Sequence, residues 1–554
     1  MNNQEIGLIL SKVGEKFLQY VLNCNEPILQ LRNDENYQFN PIQLHVLNEL
    51  CRLITESEVT VSQNPNFTIK HFLFKYGNVF NEMRRSCGGN IIHKNDSNSL
   101  LNYLLKKGTE YYPSLLIIDE IKWFNSDQTG IQNYPFIFPQ DANIVAKLLF
   151  EDSDLNRLFS EDQEYVSLQA HVNYKLNNDI SVFCWSWQFT SSFILRSFQN
   201  CCYRVKYNLT NLLDDIENQY IRLKAIANNE EIEVSYFCGV YGLRLEGIEE
   251  YNLSDNIIIR NINEVNNPCI QHTISISSSD VYSKVITGCT LEYRVTTAHF
   301  NTNIIVDNQD SKESDKVEDI FNQANHILED LVNKIAISTV ISTRALPAPF
   351  KSTFIDQDAP LSMHHPRIIP NNSAGMGVSI LDMEALNKIK NWFVKLGSID
   401  LSYISLALRR LLASLYNRID PIDSILDAFI AWESMFNSPI STTKSVVNSI
   451  AEILKRSDTK VSKTVLINLY DFRSSIVHGN PLKHDLLNCK NPLQKIESIK
   501  TQVIEIAIAV LEELIQDKVL LYLSPQERVV SLLAPTIVYC ENCQTKKYNF
   551  SSSQ

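Results

Sequence analysis

Apolar and polar positions change their rhythm along this chain. Ile6 to Leu22 and Ile42 to Ile54 carry apolar side chains at three- and four-residue spacing, the period of an amphipathic helix. Polar, asparagine-containing breaks at Asn95 to Ser99 and Asn125 to Asn133 interrupt that pattern. Residues 1–228 therefore predict a mixed, mainly helical region, and no motif of known chemistry stands in it. Within it, Ser114-Leu-Leu-Ile-Ile-Asp119-Glu120 predicts a buried strand ending in solvated acids. No Gly-x-x-x-x-Gly-Lys-Ser/Thr loop accompanies it, so an ATPase reading lacks its phosphate cradle.

Between about Glu231 and Ala298 the rhythm shifts to β-branched and aromatic runs: Val234 to Gly239, Ile257 to Ile262, Thr273 to Ile276 and Leu291 to Thr297. These predict a small β-rich module. An acidic stretch, Asp307 to Asp315, leads into an amphipathic helix over Val317 to Ile337, and Pro347 to Pro370 reads as a proline-rich loop that marks a domain boundary. Helical periodicity then returns over Leu381 to Leu396, Leu401 to Asn417, Pro421 to Phe436, Lys444 to Lys455, Val461 to His478 and Pro492 to Asp517. Short connections between such helices predict a bundle. Asp420 suits a cap before Pro421, whose missing N–H does no harm in a first turn. Gly479 suits the left-handed residue that ends the helix carrying His478, and Pro481 prevents its resumption.

The expected layout is multidomain α+β: 1–228 as an N-terminal region and possible sensor, 229–345 as the β-rich module plus helix, 346–375 as linker, 376–523 as an all-α bundle, and 524–554 as a tail. A chain of 554 residues exceeds what one core usually organises, which favours several domains. A net charge of -13 disfavours non-specific attraction to a polyanion, so any nucleic-acid contact needs a local basic patch. Twelve cysteines without regular spacing suit reduced thiols, and the start MNNQEIGLIL lacks a secretory n-region; a cytoplasmic protein with no membrane partner is expected.

The sharpest chemical signal is Leu469-Tyr-Asp-Phe-Arg473-Ser474-Ser-Ile-Val-His478-Gly479. Five residues apart on one helix, Arg473 and His478 project about 140° from each other and make poor mutual partners. Ser474, four residues before His478, is the better neighbour. Cleavage of RNA by its own 2′-hydroxyl needs a base for that proton, an acid for the leaving 5′-oxygen and a cation for the phosphorane charge. Histidine and arginine supply that inventory, and the scheme uses no cofactor.

The motif, with Leu406-Ala-Leu-Arg-Arg-Leu-Leu and Asp420-Pro-Ile-Asp-Ser-Ile-Leu-Asp427-Ala-Phe-Ile-Ala-Trp-Glu433-Ser-Met-Phe436, resembles the Apea-like branch of the HEPN superfamily over roughly residues 380 to 520. Gly242-Leu-Arg-Leu-Glu-Gly247 through Ile257-Ile-Ile-Arg260 is similar to text found upstream of such domains. The resemblance implies an all-helical HEPN bundle and a homodimer whose two motif helices face each other. It also implies an endoribonuclease that leaves 2′,3′-cyclic phosphate ends, with Arg473 and His478 as catalytic residues, in anti-phage or abortive-infection defence with a phage-derived trigger. Ser474 departs from the Asn, Asp or His that many catalytic members carry after the arginine. The alternative is a non-catalytic HEPN module for dimerisation or for binding RNA or nucleotide.

Supporting roles fall to Ser474, Asp471 and Glu433. Glu433 beside Trp432 is either an acid that orients Arg473 or half of a surface ion pair. Arg473 and His478 also admit a plainer reading, a solvated arginine and a histidine favoured by the helix C-terminus. Residues 451 to 500 hold nine Lys or Arg against five Asp or Glu, which makes Lys455, Arg456, Lys460, Lys463 and Lys483 candidates for RNA contact. Cys540-Glu-Asn-Cys543 has half the ligands of a zinc site, and His364-His365 lacks a third ligand, so no metal is assigned.

Overall fold

The computed structural model describes residues 3–33, 38–63, 69–117, 139–155, 159–160, 171–176, 180–228 except 205 and 207, residue 230, 232–262 except 242, 288–297, 326–327, 330–343, 352–355, 367–368, 379–437 except 419, 442–479 and 491–534. The described residues are mainly helical with a smaller share of strands. None of their helices is long and apolar enough to cross a membrane. The chain divides into two compact units, Met1–Gly239 with Asp255–Leu328 and Ser352–Ile369, and Val240–Ser254 with Glu329–Lys351 and Pro370–Gln554. Residues 229–345, expected as one β-rich module plus helix, are thus divided between the two units.

In the first unit, the N-terminal periodicity becomes helices Asn3–Val13 and Glu15–Val21, divided at Gly14 with φ +86°, and then helix Pro41–Gln63. The polar break near Asn95 is a cap: Asn98 accepts the Leu101 N–H at 3.0 Å and starts helix Ser99–Leu115. That helix corrects the expected strand at Ser114. Leu100, Leu101, Leu104, Leu105, Tyr111, Tyr112 and Leu115 are all buried, so a helical period runs on into the apolar text and outweighs its strand-like look. Asp119, Glu120 and the break at Asn125 to Asn133 lie outside the described residues.

The expected strands at 234–239, 257–262 and 291–297 correspond to Ile232–Tyr241, Ile257–Ile262 and Gly288–Thr297, while 273–276 lies outside the described residues. Ile257–Ile262 and Gly288–Thr297 pair antiparallel with Ile259 opposite Leu291. The supposed loop from Pro347 to Pro370 holds two short antiparallel strands, Ser352–Ile355 and Arg367–Ile368. Its prolines lie outside the described residues. A separate three-stranded antiparallel sheet, Phe159–Ser160, His171–Leu176 and Ile180–Trp185, was not among the expected elements.

The second unit is built on helices Met383–Gly397, Ser405–Leu412, Pro421–Met435, Thr442–Ile453, Lys463–Val477 and Pro492–Gln516, close to the spans expected. Ala413–Asn417 continues the second of these as a π turn. Helix 330–343 of the same unit buries Ile335, Ala336, Val340 and Ile341. Leu381, expected as the first helical residue, lies instead in strand Ser379–Leu381, parallel to Leu243–Leu245, and Asp382 caps the helix that follows. The core gathers around Trp432, fully buried, whose indole N–H donates to the Val503 carbonyl at 3.2 Å. Residues after 523 do not all form a tail: Ser524 and Glu527 make a capping box, and helix Pro525–Leu533 carries the fully buried Arg528.

Candidate active site

Two helices of the second unit position the motif. In Pro421–Met435, Asp420 accepts the Ile422 N–H at 2.7 Å, and Ile425, Ala428, Phe429, Trp432 and Met435 turn inward. In the motif helix, Lys463–Val477, Ser462 accepts the Val465 N–H at 3.3 Å, and Leu466, Leu469 and Tyr470 are buried. The Phe429 ring locks the two together, 4.8 Å from Trp432 and 5.7 Å from Tyr470 by ring centroids. That packing fixes the rotation of the motif helix, and with it the direction in which Arg473 leaves.

Arg473 stands three residues after Tyr470, so the two side chains share a face. Both meet Glu433 of the neighbouring helix. One guanidinium nitrogen, Nη2, lies 3.0 Å from Oε1 and 3.2 Å from Oε2 of Glu433, and the Tyr470 hydroxyl donates to Oε1. The guanidinium carbon also sits 5.8 Å from the Tyr470 ring centroid, within cation–π range. Side-chain exposures of 24% for Arg473 and 22% for Glu433 place the pair at the rim of the core, neither sealed nor freely solvated. Burial, followed by the adjacent Glu433 carboxylate, pushes the Tyr470 phenol well above the ordinary tyrosine range, so it remains a donor.

The helix ends where its sequence suggested. The His478 N–H donates to the Ser474 carbonyl at 3.1 Å, the Gly479 N–H to the Ile476 carbonyl at 3.2 Å, and Gly479 takes φ +63°. His478 is left exposed at this C-terminus, and its ring has no hydrogen-bond partner among the described residues. The bond between Ser474 and His478 runs through the main chain. Asp471 is exposed, and its carbonyl accepts the Ser475 hydroxyl at 3.0 Å.

Several basic candidates are engaged locally. Lys455 pairs with Glu452 at 2.6 Å, Arg456 with Asp517 at 2.9 Å, and Lys460 donates to the Lys455 and Ser457 carbonyls at 3.2 and 2.7 Å. Lys463 is exposed in the first turn of the motif helix. At 1.5 Å per residue it lies roughly 15 Å along the axis from Arg473, so these cations gather at the far end of that helix. Lys483, Cys540, Cys543 and the pair His364-His365 lie outside the described residues. Among the described residues, no group of three or more His, Cys, Asp or Glu is placed to hold a metal ion.

Sequence reasoning missed Tyr470. Its place three residues before Arg473 was the available signal; its partner, 37 residues away on another helix, gave none. It also gave no role to Asp427, buried at 4% exposure, which pairs with Arg410 at 2.7 Å and Arg418 at 2.5 Å. Searches of family models, curated proteins and solved structures return no match to this chain.

Proposed function

We propose that the second unit is an Apea-like HEPN ribonuclease that cuts RNA as a homodimer, in a cytoplasmic anti-phage or abortive-infection setting. The observation that carries this reading is the end of the motif helix: Arg473, partly exposed and held from one side by Glu433, and His478, exposed one helical turn further on. A cation and a titratable imidazole at one accessible helix end are what transesterification at a ribose needs. His478 exchanges protons with the 2′-hydroxyl and the leaving 5′-oxygen, and Arg473 steadies the phosphorane. The products are a 2′,3′-cyclic phosphate and a 5′-hydroxyl. Because the two side chains diverge by about 140° around the helix axis, the reading places each site between symmetry-related copies. Residues 1–228 then sense or restrain, with a phage product as trigger.

A second reading has its own observation. Arg473 already has an acid partner, as a purely structural arginine would, which suits a HEPN module that dimerises or binds RNA without cutting. Purified full-length protein with His478→Ala separates the two. The nuclease reading predicts loss of RNA cleavage, with folding and association unchanged and the wild-type activity indifferent to chelator. Equal RNA decay with both proteins would refute it.

A further inference from the structure

Arg473 is held at one nitrogen only. Both Glu433 oxygens face Nη2, and the described residues give Nη1 and Nε no acceptor. A bidentate, fork-to-fork pair would consume the edge of the guanidinium that best matches a phosphate. This one pins Nη2, the nitrogen common to both edges, and leaves the Nη1 and Nε hydrogens open as single donors. Glu433 can pin it only while its carboxylate is itself held in place, and the described side chain that does so is Tyr470, whose hydroxyl donates to Oε1. Tyr470 is well suited to hold it, being 4% exposed, packed on Phe429, and unable to ionise at working pH because burial raises its phenol. The three groups form a chain from a rigid core ring to a cation at the rim.

We propose that Tyr470 is a positioning residue for Arg473, acting through Glu433 so that the guanidinium is anchored at Nη2 and its Nη1 and Nε hydrogens are held ready to donate singly to non-bridging phosphate oxygens of RNA. This rests on the ribonuclease reading. A role in presentation matters most when charge builds on the phosphorane, so it acts on turnover more than on binding. Tyr470→Phe keeps the ring, the packing on Phe429 and the contact beneath the guanidinium, and removes only the hydroxyl.

The test compares wild type, Tyr470→Phe, Glu433→Asp and Arg473→Ala as full chains on one RNA, with kcat and KM measured separately and folding followed by circular dichroism. The expected result is a fall in kcat of about tenfold for Tyr470→Phe, the scale of one lost charge-assisted hydrogen bond, with KM within about twofold. Glu433→Asp, which withdraws the carboxylate by one methylene, should show the same split and covers the case in which the phenylalanine variant fails to fold. A Tyr470→Phe kcat equal to wild type while Arg473→Ala is silent overturns the positioning role alone. Arg473→Ala as active as wild type overturns the ribonuclease reading, and this proposal with it.

Discussion

Replacing Arg528 by methionine should loosen the second unit while leaving the first intact. The Arg528 side chain is fully buried, and its four described hydrogen bonds all go to main-chain carbonyls: Leu520 at 2.9 Å, Leu521 at 2.7 Å, and Tyr403 and Met435 at 3.2 Å. Burial lowers its pKa from 12.5 to about 10, so it stays cationic at neutral pH at a desolvation cost of roughly 3 kcal/mol. Methionine fills much of the volume and removes that cost, and the Leu520 carbonyl keeps the Leu523 N–H, but the Leu521, Tyr403 and Met435 carbonyls lose this donor, at about 1–3 kcal/mol each. Three unpaired carbonyls set against the relieved desolvation leave a net loss of about 3 kcal/mol. One of those carbonyls, Met435, ends the helix that carries Glu433, so the damage reaches the motif. Hydrogen exchange on the full chain is the assay. Amides of Pro421–Met435 should exchange roughly a hundredfold or more faster, while those of Ser99–Leu115 keep their protection. Protection of Pro421–Met435 within threefold of wild type would refute the reasoning.

Two further outcomes concern the first unit. A Cβ at Gly77 would meet the Glu110 carbonyl oxygen at 2.1 Å, so Gly77→Ala must push two helices apart; a loss of about 2–3 kcal/mol in urea unfolding is expected, and no change would contradict the packing. Asp152 is desolvated, which alone raises its pKa, but hydrogen bonds from Tyr220, Asn98 and the Leu155 and Asp154 N–H groups prevail and lower it. A lowered carboxylate stabilises the fold above the unfolded pKa of about 3.9 and loses that contribution as pH falls through the folded value. Asp152→Asn should therefore flatten the acid limb of a stability–pH curve below about pH 4, and an unchanged limb would contradict it.

Local chemistry was legible in the sequence, and pairing across helices was not. Asp420 before Pro421 and Gly479 after His478 announce helix ends because caps act within a few residues, and the structure has both. The span Pro421 to Phe436 was read from period, and the structure shows Ile425, Phe429 and Trp432 as its inward face. Glu433 stayed undecided between strut and surface pair because its role depends on which face of another helix approaches it. Arg528 was invisible for a similar reason: residues 524–554 read as a tail, and only the ends of three other segments make a core position of it. The sheet of His171–Leu176 and Ile180–Trp185 was missed although Val172, Tyr174 and Leu176 alternate with His171, Asn173 and Lys175, because a six-residue run is a short window within text otherwise read as helical.

If Arg473 and His478 cut RNA, the cut ends carry the signature of the chemistry. Sequencing of RNA ends after brief expression of wild type, Arg473→Ala and His478→Ala at matched protein levels reads that signature most directly. New 2′,3′-cyclic phosphate ends should appear with wild type and be missing from both variants. End profiles that are identical in all three would contradict a catalytic role for the pair.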